Sequence, residues 1–234
     1  MNPKLTSLLS YITTLLTPIF LLGLGLRILL TPIFYNIEYR LPWFPSDPYG
    51  FSQEDRLKLA PYAVDYLLNN VDISYLGDLT FEDGSPLFNE RELSHMHDVK
   101  LVTKGALRVW YVTVVLMVGL GVWAHYGNWW QAYRAGLRRG GWLMIGLVVV
   151  IALFGAIAFW QLFRLFHALF FEGDTWLFEY SDTLIRLFPI RFWQDAFIWA
   201  GVISVGGALA LAFGLKETQS DARRIESSGV NDGV

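Results

Sequence analysis

The chain has 234 residues, 54% of them hydrophobic and only 17% charged, against roughly 25% charged in soluble domains. That profile excludes an ordinary soluble domain and points to an integral membrane protein. The net charge of −3, with no basic stripe in the outer loops, gives no footing for nucleic acid, and the absence of cysteine excludes disulfides, thiolate metal ligands and a cysteine nucleophile.

Four stretches reach the ~20 apolar residues that a spanning helix needs. The first, within residues 1–34, is a run too long for a cleaved signal core and lacks an A-x-A site, so it reads as an anchor. Residues 35–105 follow as an acid-rich segment, too long for a simple connection, and are expected to fold on the membrane surface. Within it, "SQEDRLKLAPYAVDYLLNN" predicts a helix capped by Ser52 with Asp55 three residues on, bent at Pro61. Asp83-Gly84 between short apolar runs is a hairpin signal. Asn89 and Glu92 stand in the N-cap and N3 places of a capping box and open another helix. That helix is expected to run, with a bend at Gly105, into the second span, 106–126.

Residues 127–140 form the next loop, with Arg134, Arg138 and Arg139 and no acid, which predicts a cytoplasmic location. The third span is 141–171, a short outer loop is 172–191, the fourth span is 192–215, and a tail with Lys216, Arg223 and Arg224 closes the chain at 216–234. Both termini are then cytoplasmic, and the two acid-bearing loops face outward. The expected fold is an all-α membrane protein: a four-helix transmembrane bundle with a small, mostly helical extracellular domain between the first two spans.

Chemistry-bearing residues gather at the outer rim. "RELSHMHDVK" holds two of the four histidines. On a helix, His95 and His97 point about 200° apart, whereas Glu92, His95, Asp98 and Val99 share a face. His95 therefore has carboxylate neighbours and His97 does not; His97 takes a solvated or packing role. In the third span, Gln161, Arg164 and His167 recur at steps of three, where polar side chains are costly and mark function. Arg27 and Arg164 also have the plain reading of snorkelling to head groups, with Asp195 pairing with one of them. His125 reads as interfacial. His167 and His95 approach one lipid–water boundary from opposite sides, which suggests work on a molecule that is half lipid.

The motifs E-x-x-H-M-x-D-V-K and F-H-x-L-F-F, then D-T-W-L-F and D-T-L-I-R-L-F-P, resemble the bacterial lipoprotein intramolecular transacylases, over nearly the whole chain. The resemblance implies an acyltransferase that moves the sn-2 acyl chain of a diacylglyceryl-cysteine to the cysteine α-amine, giving a lyso-form lipoprotein. It implies His95 and His167 as the catalytic pair, with no cofactor and no metal, and diacylglyceryl-modified lipoproteins and membrane lipids as partners. The expected location is the bacterial cell membrane, with the active site at its outer face.

An oxygen-to-nitrogen acyl shift within one molecule needs no enzyme nucleophile, only orientation and proton transfer, which histidine performs near neutral pH. His95 is expected as base, oriented by Asp98 or Glu92, and His167 as acid or oxyanion donor, although the sequence leaves those two roles interchangeable. Lys100, Arg164 and Arg27 are candidate oxyanion or head-group contacts, and Asp174, heading the D-T-W-L-F segment, is a further supporting candidate. Phe166, Phe170, Phe171 and Trp176 read as an acyl groove or, by default, as lipid-facing packing. Three rivals stand beside this reading. One is a metal-dependent membrane hydrolase using His95, His97, His167 and an acid; it lacks HExxH. Another is a serine enzyme using Ser94 or Ser181, without a G-x-S-x-G elbow. The last is a non-catalytic membrane scaffold.

Overall fold

The computed structural model describes residues 2–171 and 173–215; the tail expected at 216–234 lies outside them. The described residues form eight helices and no strand. In chain order these are α1 (Pro3–Leu29), α2 (Pro32–Glu38), α3 (Gln53–Leu68), α4 (Ser74–Gly77), α5 (Glu90–Tyr126), α6 (Trp130–Phe170), α7 (Thr183–Leu187) and α8 (Ile190–Gly214). Helices α1, α5, α6 and α8 are long and apolar enough to cross a membrane. The all-α, four-helix architecture read from the sequence is therefore the one observed.

Helix α1 packs against each of the other three long helices. Its polar residues do not break the apolar surroundings, because Thr13 and Thr17 return their hydroxyls to the Leu9 and Thr13 carbonyls one turn back. The seam between α1 and α6 is close because α6 presents glycine there. A Cβ on Gly140 would stand 2.4 Å from Thr17 Cβ, and one on Gly141 would stand 2.8 Å from the Ala208 carbonyl of α8. Small residues of this kind let helix backbones approach where lipid offers no hydrophobic drive. Arg139 of α6 adds a hydrogen bond of 2.8 Å to Ser10 Oγ.

Residues 127–140, expected as a loop, are helical from Trp130 onward, and the connection shrinks to residues 127–129 with Asn128 in the left-handed region (φ 58°). Residues 131–140 carry two alanines and three arginines, which favour helix, and no proline to stop it. Helix α5 runs unbroken through Gly105. Helix α6 is interrupted at Ala158 (φ −144°, ψ 50°), twelve residues before its end.

A cap of α2, α3, α4, the first turns of α5 and the segment around α7 covers one end of the bundle. Ser52 and Asp55 form a reciprocal capping box at the start of α3. The Asp83-Gly84 signal yields a tight turn (Gly84 φ 83°) with one isolated bridge, Thr80 to Pro86, rather than a hairpin. Pro86 has no N–H to extend a ladder. Ala63, Tyr66, Leu76, Leu87, Phe88 and Met96 form the cap core together with Leu184 and Leu187 from α7. Phe34, Tyr39, Phe192 and Ala196 join the cap base to α8.

Candidate active site

The first turn of α5 does two jobs at once. Asn89 caps it, accepting from the Glu92 N–H at 3.0 Å, and Glu92 Oε2 accepts from the Asn89 N–H at 2.7 Å. The other Glu92 oxygen accepts from the Leu184 N–H at 2.6 Å, across 92 residues of chain. Arg91 donates to the Leu177 carbonyl at 3.1 Å, and Asn89 to Asp182 at 3.0 Å. The segment between α6 and α8 is thus stapled to the start of α5.

One turn further on, His95 points into the space this staple encloses. His167, in the last turn of α6, enters from the other side. Each is only 8% exposed, and their rings lie nearly parallel with centroids 6.1 Å apart (18° between planes). Aromatic rings wall the pair. Phe163 is 4.1 Å and Trp176 4.9 Å from His167, while Phe171 and Phe178 lie 5.0 and 5.2 Å from His95. Phe166, whose ring centroid is 5.5 Å from that of His167, and Phe170 are more exposed, at 40% and 46%.

His167 Nδ1 lies 2.8 Å from the Phe163 carbonyl oxygen, which can only accept. Nδ1 therefore carries a hydrogen, and in the neutral ring Nε2 is the atom with the free lone pair. Among the described residues His95 Nδ1 is buried with no partner, which leaves that tautomer free. Neither imidazole forms an ion pair among the described residues.

The remaining sequence candidates are dispersed. Both Glu92 oxygens are taken by backbone N–H groups, and Asp98 is half-buried with no hydrogen bond to His95. Lys100 turns toward α3: its ammonium donates to the Val71 carbonyl at 2.5 Å and sits 3.8 Å over the Tyr66 ring. Arg164 and Asp174 are exposed and Arg27 is half-exposed. Asp195 pairs with Arg191 at 2.7 Å. His97 is exposed, and no three His, Asp or Glu side chains converge as a metal set among the described residues. His125 lies toward the opposite end of the bundle, in an open cavity of about 350 Å³ with Tyr126, Trp130 and Tyr133. The sequence reading missed Phe163 and Phe178. Phe163 had a signal, since it stands four residues before His167 on the same helical face. Phe178 had none, because only the folded loop brings it near His95.

Fold and site together define a multi-pass membrane protein with a buried histidine pair where its bundle meets its cap. The family model for the lipoprotein intramolecular transacylase Lit matches residues 11–193, and the chain belongs to that family. It is 29% identical over 209 residues to an uncharacterized protein of Aquifex aeolicus, covering 89% of this chain and 94% of that one. The in meso structure of the membrane integral lipoprotein intramolecular transacylase Lit from Bacillus cereus has the same fold, with a TM-score of 0.70 at 20% identity over 97% of this chain and 99% of the other. A histidine-to-arginine variant of that protein superposes with a TM-score of 0.67 at 18% identity, covering 96% and 95%.

Proposed function

We propose that the family's transacylation takes place between His95 and His167 of this chain. The substrate is a lipoprotein whose N-terminal cysteine carries a diacylglyceryl thioether and a free α-amine. The amine nitrogen attacks the carbonyl carbon of the sn-2 ester, the ester C–O bond breaks, and an amide forms within the same molecule. The amine loses one proton and the glycerol oxygen gains one, so the reaction balances with the substrate amine as nucleophile and calls for no nucleophile from the enzyme.

The observation that carries this reading is the 6.1 Å stack of two buried imidazoles from distant parts of the chain. His167, with Nδ1 committed to the Phe163 carbonyl, has an acceptor at Nε2 and suits the base that relieves the attacking amine. His95, whose tautomer is unconstrained, suits the group that returns a proton to the departing glycerol oxygen. This inverts the order first expected from the sequence. Water-poor aromatic walls favour it, because water would otherwise compete with the amine for the ester.

The cap is assigned to the outer face of the cell membrane. Arg134, Arg138 and Arg139 sit at the far end of α6, where the positive-inside rule puts them in the cytoplasm. Acyl chains of the substrate would then enter from the outer leaflet, with membrane lipids as surrounding partners and nucleic acid playing no part.

Mass spectrometry of lipoprotein N-termini from cells expressing the chain tests the proposal. The wild type should convert free-amine diacylglyceryl forms to N-acyl lyso forms. His95→Ala and His167→Ala should each insert normally and lower conversion by about 10²–10⁴-fold, the range typical of a lost general acid or base. Conversion persisting in both variants would remove the histidine pair from the chemistry.

A further inference from the structure

Acyl transfer needs one element that the histidines do not supply. As nitrogen attacks, negative charge collects on the carbonyl oxygen, and a fixed donor aimed at that oxygen is commonly the largest single contribution to catalysis. His167 is arranged as an acceptor, and His95 is needed for the glycerol proton. The cationic candidates are elsewhere: Lys100 is bound to Val71, Arg164 is exposed and Arg27 half-exposed.

Six buried side-chain polar atoms among the described residues have no hydrogen-bond partner. Two belong to Glu38, beside Asp195 and Arg191, and one to Trp129, which packs with Leu9, Ala124 and Tyr133. The other three are His95 Nδ1, Thr175 Oγ1 and Trp176 Nε1. Half of the unpaired buried groups thus fall on the pair itself or on adjoining residues of one loop that packs against it. The indole N–H is a donor only. Leaving such a donor buried and unpaired carries a desolvation penalty that a ligand would relieve. Its ring lies 4.9 Å from His167, at 37° to it.

The mounting is stiff. Leu177, next in the chain, donates its N–H to the Asp174 carbonyl at 2.9 Å, closing a turn around Trp176, and its own carbonyl is held by Arg91. Resting on the transacylase reading, we propose that Trp176 is a third catalytic residue, whose indole N–H donates to the sn-2 carbonyl oxygen and holds the charge that develops there. An indole fits this duty because it neither titrates near neutrality nor competes with the amine as a base.

The test uses purified full-length enzyme and a diacylglyceryl lipopeptide. Trp176→Phe keeps an aromatic wall and removes the N–H. It should lower kcat by about 10²–10³-fold, as loss of one oxyanion donor does, with KM within a factor of about two. Because this change also alters shape, a second arm replaces the sn-2 ester by a thionoester, whose sulfur is a poor acceptor. The two losses should not multiply: the thionoester should slow the wild type far more than Trp176→Phe. Wild-type turnover in the variant, or losses that multiply fully, would overturn the assignment. A wild type that forms no amide at all would instead overturn the transacylase reading itself.

Discussion

At the residue scale, a carboxyl group at the base of the cap carries a pH-dependent strain. Glu38, at the end of α2, is 0% exposed, and among the described residues no hydrogen-bond donor reaches either of its oxygens. Burial first, and then the neighbouring Asp195, push its pKa from 4.5 up to about 8, against a weaker opposing pull from Arg191. Between those two values the folded protein holds a proton that the unfolded chain releases. Stability should therefore be full at pH 4.5 and below, fall as pH rises toward 8, and level off above it. At about 1.4 kcal/mol per pH unit, the effect reaches a few kcal/mol. Glu38→Gln keeps the shape without the charge, so its melting temperature should exceed the wild type's at pH 8 and match it near pH 5. Thermal unfolding in detergent at the two pH values decides this; an equal difference at both would mean that Glu38 is not the titrating group. Nothing in the sequence marked Glu38, because its burden comes from burial that only the folded cap creates and from Asp195, 157 positions later. That His95 and His97 face different surroundings, one buried and one exposed, was by contrast legible from helical periodicity, although the carboxylate partners expected for His95 are engaged elsewhere or do not reach it. The tautomer of His167 was half-legible: the Phe163 carbonyl lies one turn back, but its use depends on the ring's rotamer.

At the scale of elements, the first turn of α5 ties the fold to the site. Its capping box was readable as N-x-x-E in the sequence, since both partners lie within one turn. Its second use was not, because the Leu184 N–H is 92 residues away. Removing the Glu92 carboxylate takes away a cap, worth about 1 kcal/mol, and leaves a buried N–H unpaired, at about 1–3 kcal/mol. Glu92→Ala should thus lose about 2–4 kcal/mol of stability and loosen residues 173–188, which carry Trp176 and Phe178. Hydrogen exchange should rise in that segment before it rises in α3, and turnover should drop although Glu92 touches no substrate. Unchanged exchange there would mean the staple is not what orders the loop. The same reasoning explains why this loop was opaque in sequence: its conformation is set by partners on α5 and the cap rather than by its own residues.

At the scale of the whole molecule, α6 carries two demands at opposite ends. Near its start it must slide between α1 and α8, and near its finish it must present His167. The apolar length of the four spans made the bundle legible, but the order of packing did not follow from hydropathy, since lipid-facing and helix-facing residues are equally apolar. Glycine position was the hidden variable. At Gly140 a methyl group would meet Thr17 Cβ at 2.4 Å and the Thr14 carbonyl at 2.8 Å. Neither neighbour yields, because one is β-branched with its hydroxyl bound back along α1 and the other is backbone. Gly140→Ala should therefore part α1 from α6 and cost about 1–3 kcal/mol, the range for overpacking a tight seam. The histidine pair should feel little of this. Twenty-seven residues of helix, roughly 40 Å at 1.5 Å per residue, separate the two positions, and the break at Ala158 lies between them. The expected result is a lower melting temperature with a kcat per folded molecule equal to the wild type's, measured on the monodisperse fraction from size-exclusion chromatography. A fall in kcat within that fraction would show instead that α6 transmits its packing across the break to the turn that holds His167.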